Sequence, residues 1–305
     1  MDLQVIFLGT AGSIPTTRRA LPAVAIKRKN ELILFDCGEG AQRQMIRTKV
    51  GFHKKTKVFI THMHGDHVLG LPGLLQTMAL FDRREELKIY GPVGVEAFIN
   101  AIEETVQFAR TFPISIKEIT DGGTVCEEKE YTIQATKVNH VVDALAYALI
   151  EKPRPGRFNQ EKARKLGVPE GPLWSRLQHG ENVRLRNKII KPEDVLGKPR
   201  PGRKIVYTGD TRPTKALIKL ARKADLLIHE ATLSDELKER ADQDGHSTPS
   251  EAAEIARQAE VKRLILTHVS ARYKTPDTLL KQAKKIFKNV DVAEDFMRIE
   301  LKQSN

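Results

Sequence analysis

Three imidazoles and a carboxylate stand within six residues, His62-Met63-His64-Gly65-Asp66-His67, directly after the apolar run Val58-Phe59-Ile60 with only Thr61 between. The chain has 9 histidines among 305 residues. A His-x-His-x-Asp-His string arises by chance in roughly one of a few thousand such chains, and it reads as a metal site. A cluster of this kind needs partners from elsewhere, so the chain has to fold in a way that brings them to it.

Short apolar runs alternate with amphipathic stretches, which predicts an α/β protein. Strands are expected at 3–8, 22–28, 32–35, 58–60, 87–90, 114–119, 131–137 and 144–150, with helices at 41–48, 71–81 and 93–108 between them. The alternation stops at Glu151 and resumes with Ile205-Val206-Tyr207, then Leu226-Leu227-Ile228. Thr248-Pro249-Ser250-Glu251 reads as a capping box with proline at the first helical position, and Ala252, Ile255, Ala256 and Ala259 share one face of the helix that follows. Leu264-Ile265-Leu266 is the next strand, a last helix starts at Thr275-Pro276-Asp277, and a strand from Phe296 to Leu301 closes the chain.

The stretch between these halves differs in kind. Lys152-Pro153-Arg154-Pro155-Gly156 opens it and Lys198-Pro199-Arg200-Pro201-Gly202 closes it, and proline and glycine so placed mark an insertion. A helix is expected at 160–166, with Gly171-Pro172 as a turn joining two arms and no core of its own. Between Lys152 and Lys204 there are 15 Lys and Arg against 5 Asp and Glu, so this segment holds +10 of the chain's net +12. The rest is nearly neutral. A basic segment beside a hydrolytic centre suggests a polyanionic substrate such as nucleic acid.

Other classes are excluded by what is missing. No apolar run approaches the roughly 20 residues of a membrane helix, and the start of the chain lacks the layout of a secretory peptide, so a cytoplasmic protein is expected. Cys37 and Cys126 are too few for a disulfide framework and are not spaced as zinc ligands, so both are expected as buried apolar groups.

Polar residues recur at the ends of the predicted strands: His62, Asp210 and His268 each follow a short apolar run, and His140 follows the run ending at Val138. Ligands collect at strand ends in α/β sheets. Five histidines (His62, His64, His67, His140, His268) and two aspartates (Asp66, Asp210) make seven groups, nearly double what one tetrahedral zinc takes from protein. Seven suit two metals if one carboxylate bridges, and Asp210, alone at its strand end, is the natural bridge. Imidazole and carboxylate without thiolate fit zinc, with manganese or iron left open by ligand type.

His62-x-His64-x-Asp66-His67, His140, Asp210 and His268 together resemble the metal motif of the metallo-β-lactamase superfamily. That resemblance implies a single αββα sandwich domain over 1–305, with a dinuclear site at one edge and 152–203 inserted within it. Four further stretches are similar to the ribonuclease Z family of tRNA 3′-processing endonucleases: Phe7-Leu8-Gly9-Thr10, Asp36-Cys37-Gly38-Glu39-Gly40, His229-Glu230-Ala231-Thr232 and Gly245-His246-Ser247-Thr248. The similarity runs from residue 3 to about residue 275.

The resemblance implies two zinc ions per chain, one on His62, His64 and His140 and another on Asp66, His67 and His268, with Asp210 shared. It further implies Asp66 orienting or deprotonating the attacking water, His246 as general acid to the departing ribose 3′ oxygen, and Glu230 holding the His246 ring. The product ends would be a 3′ hydroxyl on the tRNA and a 5′ phosphate on the trailer. In that family the basic insertion is a protruding arm, matched here by the Gly171-Pro172 element, that grips precursor tRNA, and the protein is a homodimer. The alternative is a zinc phosphodiesterase of the same superfamily acting on small phosphodiesters or other RNA.

Overall fold

The computed structural model describes residues 3–52, 55–185 and 188–303. Two compact units make up the chain: residues up to Ile150 together with Lys204–Lys302, and Glu151–Arg203 together with Gln303.

In the larger unit the apolar runs pair into two seven-stranded sheets. The first has the spatial order Arg298–Leu301, Leu3–Gly9, Ala23–Arg28, Glu31–Phe35, Lys55–Phe59, Leu87–Gly91, Ile114–Glu118. The second runs Val290–Val292, Leu264–Thr267, Leu226–Glu230, Lys204–Tyr207, Ala144–Glu151, Tyr131–Val138, Gly123–Glu127. From Glu31–Phe35 to Ile114–Glu118 the first sheet is parallel, as is the second from Lys204–Tyr207 to Val290–Val292.

Alternate side chains leave a strand on opposite faces. Phe7, Ile33, Phe35 and Phe59 from one sheet therefore meet Ile133, Tyr147, Tyr207 and Ile228 from the other in a shared core. Leu8, Leu32 and Leu34 pack instead on the helices Ala41–Thr48, Leu71–Leu80 and Val95–Thr105. On the far side Val206, Leu227 and Leu266 pack on Lys215–Ala221, Pro249–Gln258 and Asp277–Ile286. The result is four layers, αββα. Both faces of the central strands are buried, which is why they read as continuous apolar runs rather than as alternation.

The capping box forms: the Thr248 hydroxyl accepts from the Glu251 N–H, and a Glu251 carboxylate oxygen accepts from the Thr248 N–H at 3.0 Å. The helix expected at 93–108 is shorter, Val95–Thr105, because Gly94 at φ +105° sets its start. The edge strand Gly123–Glu127 and the charged helix Lys238–Asp244 carry too little apolar signal to be read from sequence, whereas the helix Lys215–Ala221 is apolar at five of its seven positions and is simply absent from the expected alternation. Among the described residues no helix is long and apolar enough to cross a membrane.

The smaller unit corrects two expectations. It has a core of its own, in which Ala163, Val168, Leu177, Val183, Ile190 and Val195 are buried. Each comes from a different short element or the loop beside it, so no run or period announces them. Gly171-Pro172 does not join two arms: Gly171, at φ +117°, caps a helix that Pro172 begins and that runs to Gln178. Glu151 and Arg203, the first and last residues of the segment, form a buried two-pronged ion pair at 2.7 and 2.8 Å.

Candidate metal centre

Strand ends from both sheets deliver the polar residues. Asp36 follows Glu31–Phe35, and Thr61 and His62 follow the parallel neighbour Lys55–Phe59. Asp210 follows Lys204–Tyr207, Glu230 ends Leu226–Glu230, and His268 follows Leu264–Thr267, three strands that are parallel and adjacent. Parallel strands end on the same side, so their terminal side chains meet at one edge. His140 lies two residues past Tyr131–Val138, in the short loop that leads into Ala144–Glu151.

Two groups result. His62, His64, His140 and Asp210 each offer one ligand atom, all within 4.8 Å of one another. His140 Nε2 is 3.3 Å from His64 Nδ1. Asp66, His67 and His268 form a second group on the same criterion, with His67 Nε2 3.3 Å from His268 Nε2. Asp210 faces both: its Oδ2 lies 3.6 Å from His62 Nε2, 3.4 Å from His67 Nε2 and 3.3 Å from His268 Nε2. The segment after His64 turns at once into a helical turn, Gly65–Val68, which sends Asp66 and His67 to the second group.

Polar partners fix the nitrogen that faces away from each centre. His67 Nδ1–H donates to Asp36 at 2.8 Å and His140 Nδ1–H to the Gly245 carbonyl at 2.8 Å. The Thr61 hydroxyl donates to Asp36 and so accepts from His62 Nδ1–H at 3.0 Å. The Thr232 hydroxyl donates to Glu230 at 2.6 Å and accepts from His268 Nδ1–H at 2.8 Å. In all four rings Nδ1 makes the outer hydrogen bond and Nε2 is turned toward the centre, as outer partners of metal-bound imidazoles arrange.

Two further observations fit a cation. His62 Nε2 and Asp210 Oδ1 are buried with no hydrogen-bond partner among the described residues, a rare condition in a native interior. Asp36, Asp66, Asp210 and Glu230 also crowd four carboxyl groups into one buried edge. Burial disfavours the charge on Asp66 and Asp210, yet the imidazoles of His67 and His268 hold both well below the usual carboxylate range. Burial in turn pushes His62 well below its ordinary value, leaving it a neutral donor.

His246 sits outside both triads but beside them. Its Nδ1–H donates to Glu230 Oε1 at 3.0 Å, and its ring centroid is 5.2 Å from that of His140 and 5.4 Å from that of His268. Burial opposes its charge, but Glu230 and then Asp210 outweigh that and raise its pKa to about 9. It also falls within a third possible ligand group, with Asp210 and His268.

All seven expected ligands, with His246 and Glu230, therefore meet at one edge of the larger unit, while Gly171 and Pro172 lie in the smaller one. Sequence reasoning missed Asp36, Thr61, Thr232, Gly245 and Ser13, whose N–H donates to Asp66 Oδ2 at 2.9 Å. Asp36 had a usable signal, since it ends an apolar run just as His62 and Asp210 do. Backbone conformation is also constrained here. Asp36 and His268 are left-handed at φ +56° and +57°, and a Cβ on Gly209, at φ +58°, would stand 2.6 Å from the Thr61 side chain.

Residues 3–152 match the family described as anti-Pycsar protein Apyc1, and residues 179–269 match the β-lactamase superfamily domain. Ribonuclease Z of Methanosarcina acetivorans is 49% identical over 301 residues, 98% of each chain. Among solved structures, the short form of human tRNase Z is 30% identical, covers 97% of this chain and 98% of its own, and superposes with a TM-score of 0.73. The metallo-β-lactamase fold protein YhfI of Bacillus subtilis gives a TM-score of 0.69 at 20% identity, covering 98% of this chain and 100% of its own.

Proposed function

This chain belongs to the ribonuclease Z family of the metallo-β-lactamase superfamily, and from that membership and the geometry of its site we propose that it is a metal-dependent endoribonuclease removing the 3′ trailer of precursor tRNA. The observation that carries the reading within the site is Asp210, which faces two His/Asp groups at once beside a carboxylate-held histidine.

His62, His64, His140 and Asp210 would hold one ion, and Asp66, His67, His268 and Asp210 the other. We take both to be zinc from the imidazole and carboxylate donors. A pair of divalent ions supplies Lewis-acid stabilisation of charge on the attacked phosphate. Asp66, anchored through the Ser13 N–H, orients the attacking water and receives its proton. With Nδ1 of His246 committed to Glu230, Nε2 is the atom that gives a proton to the ribose 3′ oxygen as the bond from phosphorus to that oxygen breaks. Glu230, and Asp210 behind it, raise the pKa of this imidazole and so favour its charged form. The products are a tRNA with a 3′ hydroxyl and a trailer with a 5′ phosphate.

The basic segment 152–203 is, in this reading, an arm that meets tRNA phosphates without reading bases, with Gly171 and Pro172 at the start of one of its helices. Homodimerisation is proposed on family resemblance, and a cytoplasmic setting on the two unpaired, buried cysteines Cys37 and Cys126. The test is incubation of the purified protein and zinc with a 3′-extended tRNA transcript, mapping product ends. One cut with a 3′ hydroxyl upstream and a 5′ phosphate downstream is expected. An uncut transcript alongside hydrolysis of a small phosphodiester would overturn the RNA reading.

A further inference from the structure

Residues Ala11 and Gly12 pair with Val269 and Ser270, so the segments carrying Ser13 and His268 lie side by side. Beyond the metal centre they continue into a cleft of about 630 Å³ whose walls include Thr16–Arg19, Ser270, Tyr273–Pro276 and Glu294–Phe296. A second cleft of about 230 Å³ adjoins it, sharing Arg18 and Phe296 and adding Arg43 and Arg47. Four exposed cations, Arg18, Arg43, Arg47 and Lys274, border these clefts against two exposed acids, Glu39 and Glu294. Asp295 is turned inward, accepting from the Thr10 hydroxyl and the Ala20 N–H.

Phe296 stands where the two clefts meet. It is 38% exposed although aromatic, and its φ is +70°, a left-handed conformation that is an outlier for a bulky side chain. Its N–H donates to the Phe7 carbonyl at 2.7 Å, which pins the strained residue to the end of a core strand. The Arg47 guanidinium lies 5.6 Å from the ring centroid. An exposed ring held in a strained backbone and flanked by exposed cations is how proteins bind single-stranded nucleic acid, stacking on the base while cations follow the phosphates.

We propose that Phe296 is a stacking platform for a base of the single-stranded 3′ trailer, with Arg18, Arg47 and Lys274 on its phosphates. The assignment rests on the tRNA-trailer reading above. The trailer is favoured over the tRNA side by in-line geometry. Water and the leaving 3′ oxygen take opposite apical positions on phosphorus, so the tRNA side belongs with His246. His246 lines neither cleft; the first begins at Thr16, three residues past Ser13, whose N–H anchors Asp66.

The test compares wild type, Phe296→Ala, Phe296→Gly and Phe296→Trp on one tRNA carrying trailers of increasing length, reading kcat/KM. Glycine tolerates the left-handed backbone and guards against a folding artefact. Wild type should cleave longer trailers better than a single-nucleotide trailer. Phe296→Ala and Phe296→Gly should remove that advantage, with a loss of about 10-fold on long trailers and a much smaller one on the shortest, and Phe296→Trp should restore it. Equal kcat/KM for all four proteins at every length overturns the proposal, and so does a loss of the same size at every length. If wild type itself leaves every trailer uncut, the tRNA reading fails instead.

Discussion

Asp36→Asn changes one atom in a residue that touches no substrate, yet it should weaken metal binding and catalysis together. The carboxylate accepts from the Thr61 N–H at 2.7 Å, the Thr61 hydroxyl at 2.9 Å, the Tyr207 hydroxyl at 2.8 Å and His67 Nδ1–H at 2.8 Å. The amide nitrogen cannot take the Oδ1 place, where it would oppose the Thr61 N–H, a donor that cannot turn away. It must take the Oδ2 place, where the Tyr207 hydroxyl rotates to accept and the imidazole has to move its proton to Nε2. That is the atom His67 turns toward Asp210 and His268, so the ring loses its lone pair for the metal. Asparagine adopts left-handed backbone readily, and φ +56° at this position adds no strain. Loss of such an outer partner lowers metal affinity by about 10- to 100-fold, or about 1.4 to 2.7 kcal/mol. The assay is zinc competition against a chromophoric chelator on both proteins, followed by kcat at saturating zinc. Tyr207→Phe is the control: it removes one hydrogen bond from the same carboxylate, worth about 1 kcal/mol of stability, but leaves the His67 proton in place. Wild-type zinc affinity in Asp36→Asn, or equal losses in both variants, would refute the tautomer argument.

His246→Ala should lower kcat by about 10²- to 10⁴-fold, the contribution of a positioned acid, with metal content unchanged by elemental analysis; a wild-type rate would remove its assignment as general acid. In the metal-free protein His246 should hold its proton until the pH rises through about 9, and Glu230→Gln should bring that titration down toward the ordinary value near 6.5, both read by the ring proton shifts in NMR. Replacing 151–203 by a two-residue turn is geometrically open, because Ile150 and Lys204 stand opposite each other in an antiparallel pair. That deletion should raise KM for precursor tRNA steeply and leave hydrolysis of a small phosphodiester near wild type; unchanged tRNA cleavage would remove the arm from substrate binding. Gly245→Ala places a Cβ 2.8 Å from His140 Nδ1 at a backbone φ of +76°, so it should lower Tm and zinc affinity together, whereas an unchanged Tm would show that the segment yields easily.

The central strands of the larger unit were legible because their residues are buried on both faces, which turns 5–8 or 226–228 into unbroken apolar text. The hexapeptide was legible because three imidazoles at that spacing have little other use. Asp210 and His268 could be placed because each ends such a run. What stayed hidden works singly. Thr61 and Thr232 are ordinary residues whose role comes from one hydroxyl donating to a carboxylate and accepting from an imidazole, and no spacing signals that. Val183, Ile190 and Val195 make a core only because separate short turns bring them together. A helix such as Lys238–Asp244 buries one alanine, Ala241, so its period is lost among charges.

Two buried carboxylates, one from each sheet, organise the centre by the same device. Asp36 holds His67 directly and His62 through the Thr61 hydroxyl. Glu230 holds His246 directly and His268 through the Thr232 hydroxyl. Each hydroxyl has one proton, and giving it to the carboxylate leaves the oxygen able only to accept, which fixes the imidazole tautomer beyond it. Metal binding requires that choice at His62, His67 and His268, and proton donation requires it at His246; rings free to turn or to exchange tautomers would meet it only part of the time. The left-handed backbone at Asp36 and His268 costs about 1 to 3 kcal/mol per residue in general. At Asp36 that cost is offset by the hydrogen bonds the carboxylate accepts. His268 lies at the far end of the Glu230 relay and is held by Thr232. Asp36 and His268 are thus left-handed residues whose position the relays over-determine, and that is why the chain can keep non-glycine residues at both.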